Sequence, residues 1–185
     1  HDQSLPQTKQ DLAKAKKLLD ETDFKDPDGD GPQMRFNLVY KTSSVKERIE
    51  IAQLIAENLA QIGIGVEVKP YEFGTFYRDI RQGNFDIFTL AWVGLTDPDI
   101  YHSAFHSQSM PPNGANRGFY NNVELDGLLE KSRITTDQIE LKNIYQQIQK
   151  IVYDDFVYAP LSYENNFAFV NKAGKGYQLR ANASY

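Results

Sequence analysis

Cysteine is absent from all 185 residues. That excludes disulfide bridges, thiolate nucleophiles and cysteine-ligated zinc. It leaves the compartment open, because cysteine-free chains occur in oxidising and reducing surroundings alike. Long hydrophobic runs are missing too. The longest, Ile87 to Ala91 and Phe167 to Val170, fall far short of the roughly 20 residues a membrane-spanning helix needs. No signal-peptide or lipid-anchor motif is visible, so the targeting segment of an exported protein would lie outside this chain. Positive charge is not in excess. The 20 Lys and Arg face 25 Asp and Glu, a net charge of −5, and no basic stripe stands out. Nucleic acid is therefore not an expected partner. The chain also lacks a GxSxG elbow, a P-loop and a dinucleotide-binding glycine fingerprint. Its adjacent carboxylates Asp154 and Asp155 sit side by side on a helix and point in different directions, which suits solvation better than acid–base chemistry.

Hydrophobic residues make up 41% of the chain, enough for a globular fold with a real core. Thr8 to Glu21 carries Leu12, Ala15, Leu18 and Leu19 at helical spacing, with Thr8 and Asp11 set as a weak capping box. Arg35 to Tyr40 alternates as a strand does. Ser44 and Glu47 read as a capping box for a helix whose face is Val45, Ile49, Ala52, Ile55, Leu59 and Ile62, ended by Gly63. A strand over Ile64 to Val68, a helix over Phe73 to Gln82 and a mostly apolar strand over Phe85 to Trp92 come next. One or two helical turns are expected within Asp97 to Phe105, and a long loop over Ser107 to Asn122. Helices over Glu124 to Ile134 and Asp137 to Asp155 follow, the second capped by Asp137 and buried through Leu141, Ile144, Ile148, Ile151 and Val152. Short strands are expected over Val157 to Tyr163 and Phe167 to Val170. Strands alternating with helices predict an α/β fold, a mixed sheet flanked by helices. Ligands of such sheets bind beyond the carboxyl ends of strands, where Trp92 to Asp99 is expected.

Several pieces then occur in a telling order. They are DPDGDG, LAQIGIGVEVK, NFDIFTLAW followed by DPD, GANRGFYNNVELDGLLEKS and IQKIVYDDFVYAPLSY. Over Asp11 to Asn171 the set resembles extracytoplasmic solute-binding proteins of family 5, the peptide- and nickel-binding receptors of ABC importers. Members are longer and close two lobes on a ligand. The resemblance implies one lobe of a type II periplasmic-binding-protein-like fold. Residues 1–7 would be a tag or linker, residues 8–171 the carboxyl-terminal ligand-binding lobe, and residues 172–185 a return segment towards a missing amino-terminal lobe. It implies a small ligand, most readily an oligopeptide, and an ABC permease engaged by the full-length receptor. It further implies a periplasmic or extracytoplasmic location, with anchoring through the absent amino terminus left open. No cofactor or catalytic residue is implied.

The resemblance also supplies ligand-site candidates. The tryptophan matching Trp92 lines the cleft in the family, and a flat amphipathic ring offers much contact area at low entropic cost. Peptide-binding members commonly carry an aspartate three residues later, where it pairs with the peptide's amino terminus. Here that position is Leu95, with Thr96 next and Asp97 two residues on as a substitute. Asp97 before Pro98 is equally a turn initiator. In the long loop, Asn116, Arg117 and Tyr120 carry donors suited to carboxylates and amide oxygens. Asn165, with its neighbours Tyr163, Glu164 and Asn166, follows a strand expected beside the cleft or hinge. Leu95 in place of aspartate keeps an oligosaccharide or metal-chelate ligand open.

Other readings start from other residues. Asp26, Asp28, Asp30 and Gly31 mimic the opening of a calcium loop, but the position that needs a bidentate Glu is Asn37, so a rigid turn is expected instead. His102 and His106 share a helix face if the segment is helical, which suits zinc or nickel. A competing expectation is a metal-dependent hydrolase acting through Asp97, Asp99 and His102. A third is a protein-interaction module acting through the Ser107 to Asn122 loop.

Overall fold

The computed structural model describes residues 5–6, 8–29, 31–93, 95, 97–162, 169, 171 and 176. The chain divides into two compact units, one spanning Pro6–Leu90 and the other taking in the chain from Ala91 onward.

In the first unit, helix α1 (Leu12–Asp20) leads to strand β1 (Phe36–Ser43), helix α2 (Lys46–Ala60), strand β2 (Ile64–Tyr71), helix α3 (Phe73–Arg81) and strand β3 (Ile87–Phe88). The three strands form one sheet in the order β2-β1-β3. Both pairings are parallel, with Phe36 opposite Ile64, Ser43 opposite Tyr71 and Tyr40 opposite Ile87. The described ladders are thus parallel rather than mixed. Helices α2 and α3 pack on β1 and β2. The predicted stripe of α2 faces inward, with Ala52 fully buried, while Val45 remains 52% exposed. Tyr40, Ile64, Phe76 and Ile80 are the other buried hydrophobic residues of this unit among those described.

Local chemistry shifts several predicted boundaries. Asp11 is itself the N-cap of α1, accepting from the Lys14 amide at 2.9 Å, so Thr8 is not the capping residue. The Ser44–Glu47 box does not form. Strand β1 continues through Ser43, so the helix is entered one residue late, at Val45, with no side-chain cap bond. Gly63 does end α2 as expected, at φ +80°. A Cβ there would lie 3.0 Å from Cγ of Arg35, so glycine serves both the left-handed turn and the close approach.

The predicted strand Phe85 to Trp92 is reduced to Ile87–Phe88. Its apolar composition calls for burial but cannot supply backbone partners. At one end the Asp86 carboxylate accepts the Val39 amide at 2.7 Å, replacing a ladder bond. At the other, the hydroxyls of Tyr40 and Thr89 bond to each other. Among the described strands β3 is an edge, not the centre, and Trp92 lies beyond it in the second unit.

That unit is built on helices α4 (Ile100–Phe105), α5 (Val123–Ile134) and α6 (Gln138–Asp154), with a 3-10 turn at Ser107–Ser109. Its core is Ala104, Phe105, Leu125, Leu129, Ile144 and Ile148, so the predicted inner face of α6 is the observed one. Asp137 caps α6 as expected, accepting from the Ile139 and Glu140 amides at 3.0 and 2.8 Å. Asn122 caps α5, accepting from Leu125 at 3.1 Å. No strand forms over the described part of Val157 to Tyr163. Val157 instead donates its amide to Val152 and closes α6. Of the predicted strand Phe167 to Val170, all but Phe169 lies outside the described residues. No described helix is long and apolar enough to cross a membrane.

Candidate functional site

Four of the predicted ligand residues come together around the loop that precedes α5. Asn116 is 1% exposed. Its side-chain amide donates to the carbonyls of Tyr120 and His106 at 2.7 and 3.1 Å, and its carbonyl accepts the Tyr120 amide at 3.0 Å. Both amide hydrogens are thereby engaged. Asn116 braces the loop rather than reaching a ligand, and it does so where Phe119 takes the unfavourable φ of +53°.

Tyr120 is half-buried, and its hydroxyl donates to the carboxylate of Asp155 just past α6, which also accepts from Asn122 at 3.2 Å. Burial first, and the Asp155 hydrogen bond second, push the phenol pKa up from 10.0 to about 12. The folded state therefore holds this proton more tightly than the unfolded chain. Its contribution to stability is complete below pH 10 and is lost as pH rises through about 12. Tyr120→Phe is expected to flatten the alkaline limb of a melting-temperature profile over that window. An unchanged limb would show that other groups carry it.

Arg117 is 7% exposed, and Trp92, on the loop after Leu90, is 37% exposed. The guanidinium carbon lies 5.4 Å from the Trp92 ring centroid, a cation–π contact worth about 0.5–2 kcal/mol. The indole is thus held by Arg117 and not by a strand, which corrects the expected support. Leu95 is 45% exposed. Asp97 accepts the Asp99 amide at 2.7 Å and so initiates the turn into α4. Thr96 and Asn165 lie outside the described residues, as do Tyr163, Glu164 and Asn166.

A second cluster lies along α4 and α5. The rings of His102 and His106 stack at 4.3 Å, and Nε2 of each lies 3.2–3.3 Å from Oε1 of Glu130. This is a geometric candidate for a metal, and Glu130 is the member that sequence spacing alone does not reveal. The hydrogen bonds oppose it. Nδ1 of His106 accepts the Gln108 amide at 3.0 Å, so the neutral ring carries its proton on Nε2, the atom a metal would need bare. Nε2 of His102 is 3.1 Å from the Arg133 guanidinium, which has only hydrogens to offer. Arg133 is fixed in place by a bidentate pair to Asp99 at 2.7 and 2.8 Å, and that pair holds the Asp99 carboxyl below its usual range. A dication would sit beside this guanidinium. Added zinc is therefore expected to leave the melting temperature unchanged. A rise that His106→Gln abolishes would overturn this assignment.

The same residues answer the hydrolase expectation, since Asp97 caps a turn and Asp99 is committed to Arg133. The calcium-like loop is also satisfied internally. Asp26 accepts the Asp28 and Gly29 amides at 3.1 and 2.7 Å. The buried guanidinium of Arg35 reaches Asp20 at 2.5 Å and Asp26 at 3.5 Å, standing where a cation would. Asp30 lies outside the described residues. A surface depression lined by Asn37, Leu38, Val39, Val66 and Glu67 belongs to the sheet unit and contains none of the predicted ligand residues.

Comparison with known proteins matches this arrangement to one group. The chain is 30% identical over 184 residues to the oligopeptide-binding protein AppA of Bacillus subtilis (strain 168), covering 96% of this chain and 34% of that protein. It is 27% identical over 182 residues to di/tripeptide-binding protein 2 of Pseudomonas aeruginosa (strain UCBPP-PA14), covering 97% and 33%. The structure of AppA from Bacillus subtilis in complex with a nonapeptide superposes with a TM-score of 0.77 at 29% identity, over 85% of this chain and 32% of that one. The chain therefore spans about a third of the length of these relatives, and its fold is that of the type II periplasmic binding proteins. Residues 1–111 match the family described as bacterial extracellular solute-binding proteins, family 5 Middle. With its parallel sheet, its helical unit and a half-exposed indole on the loop after Leu90, this chain belongs to the family 5 bacterial extracellular solute-binding proteins.

Proposed function

We propose that this chain is part of the substrate-binding component of an ABC importer, and that Trp92 contributes one wall of a peptide site. The observation that carries this reading is the half-exposed indole seated on a buried cation. A core tryptophan would be covered, and an incidental surface ring would not be pinned. The peptide-binding relatives support the ligand class, and the family's extracellular description supports an extracytoplasmic location. Because the chain spans a third of those relatives, the complete receptor supplies a second lobe, and closure of both lobes on ligand is what its permease recognises. Residues 8–171 form the carboxyl-terminal lobe in this reading. No chemical step is involved.

The isolated chain, holding one wall, is expected to bind a mixed peptide library weakly or undetectably in calorimetry. In the full-length receptor, Trp92→Ala is expected to weaken peptide binding about tenfold or more, as loss of a central aromatic contact does. Micromolar binding by this chain alone contradicts the half-site. Leu95 favours a second reading, because its exposed apolar side chain offers no partner to a peptide amino terminus. If only oligosaccharides or metal chelates raise the receptor's melting temperature, peptide is not the ligand.

A further inference from the structure

One dipeptide in the loop before α5 carries chemistry of its own. Asn113–Gly114 is the chain's only asparagine followed by glycine. An asparagine side chain can be attacked by the backbone nitrogen that follows it, and glycine has no Cβ to hinder the approach. Asparagine is for this reason a thermolabile residue. Asn113 is exposed, and no described hydrogen bond engages its side chain. The electrophilic carbon is thus free to move.

The nucleophilic nitrogen is not. The Gly114 amide donates to the Met110 carbonyl at 3.2 Å, and the Asn113 amide donates to the same oxygen at 3.2 Å. The residues that follow are tied back as well. Asn116 donates its amide to the Ser109 carbonyl at 2.9 Å, and Ala115 donates to that of Ser103, on α4, at 3.1 Å. The Ser109 backbone also crowds Gly114, where a Cβ would lie 2.1 Å from the Ser109 oxygen. Ring closure swings the Gly114 nitrogen towards Cγ of Asn113 and off the Met110 oxygen. That rotation has to occur beside a backbone already in close contact.

We propose that Asn113 is a site of spontaneous deamidation gated by closure of the 109–116 turn, so that conversion there records how often the loop opens. The Gly114 nitrogen gives its proton to solvent and bonds to Cγ of Asn113. The Cγ–N bond of the side-chain amide breaks, and ammonia leaves with a proton returned by solvent. Water then adds to the cyclic imide. Cleavage of the ring's Cγ–N bond leaves aspartate at position 113. Cleavage of the other C–N bond leaves isoaspartate, with the main chain routed through Cγ. The balance is one water consumed and one ammonia released. Gating depends on loop geometry and not on the identity of any ligand.

The 185-residue chain, incubated in mildly alkaline buffer with and without guanidinium chloride, tests the gate. Peptide mapping by mass spectrometry follows conversion at position 113. The folded chain is expected to convert at least about tenfold more slowly than the unfolded one, because the open loop is a minor population. Hydrogen exchange of the Gly114 amide in the folded chain is expected to show protection matching that slowing within about three-fold, since one opening event permits both reactions. Asn116 braces this loop through the Tyr120 amide and carbonyl. Asn116→Ala is therefore expected to raise the folded-state rate several-fold while circular dichroism stays native.

Equal rates with and without denaturant overturn the gate, and that comparison needs no variant to fold. Slow conversion beside an unprotected Gly114 amide overturns it too, as does an unchanged rate in natively folded Asn116→Ala. A denatured chain that does not convert at position 113 removes the site altogether.

Discussion

Asp79→Ala is expected to destabilise the sheet unit by about 3–5 kcal/mol, the cost of leaving one member of a buried ion pair without its counter-charge. Asp79 on α3 accepts from Nζ of Lys41 on β1 at 2.7 Å, and the two side chains are 13% and 9% exposed. Lys41 lies 5.6 Å from the Tyr71 ring centroid, a contact that cannot replace a carboxylate. Hydrogen exchange of the β1 and β2 amides is the appropriate readout, because a chain with two compact units need not melt as one. Replacing both partners, Lys41→Met with Asp79→Leu, is expected to recover most of the loss, since a matched apolar pair avoids the desolvation of both charges. If Asp79→Ala costs under about 0.5 kcal/mol, the pair is hydrated and the burial argument is wrong.

Ile148→Ala should cost the helical unit about 2–5 kcal/mol through lost burial and the cavity left behind. Ile148 is fully buried, together with Leu125, Leu129 and Ile144. Ile139, on the same helix, is 74% exposed, and Ile139→Ala is expected to change stability by no more than about 0.5 kcal/mol. Urea unfolding followed by helix-sensitive circular dichroism compares the two. Equal effects would mean that α6 does not present the face its spacing predicts.

The contrast between those two isoleucines shows what the sequence makes legible. The three- and four-residue spacing of Ile144, Ile148, Ile151 and Val152 predicts the buried side of α6, because helical geometry is local. Gly63 was readable for the same reason, as a left-handed C-terminal turn favours glycine wherever it occurs. Strands were less readable. The segment Phe85 to Trp92 has the composition of a central strand, yet only Ile87 and Phe88 pair. Pairing depends on which backbone lies alongside, and here Asp86 and the Tyr40–Thr89 contact bound the ladder. Ser44 met the capping pattern, but the length of β1 displaced the helix start.

The candidate site divides in the same way. Trp92, Arg117, Asn116 and Tyr120 could each be picked out by residue type and by resemblance to the family. Their tasks could not. Asn116 holds a loop, Tyr120 ties that loop to Asp155, and Arg117 faces a ring rather than solvent. Glu130 carries no signal beside His102 and His106 until α4 and α5 are packed together.

The amino-acid sequence alone determined the family, the alternation of helices with strands, the inner faces of α2 and α6, and the absence of cysteine chemistry. Those properties depend on residue type and short-range periodicity, which the chain carries whether folded or not. Only the tertiary structure decided that the indole rests on a guanidinium, that two histidines meet a glutamate and an arginine, and that a lysine is buried against Asp79. Each depends on side chains distant in sequence arriving within a few ångströms of one another, and electrostatic interactions of that kind are set by separation and burial rather than by order along the chain.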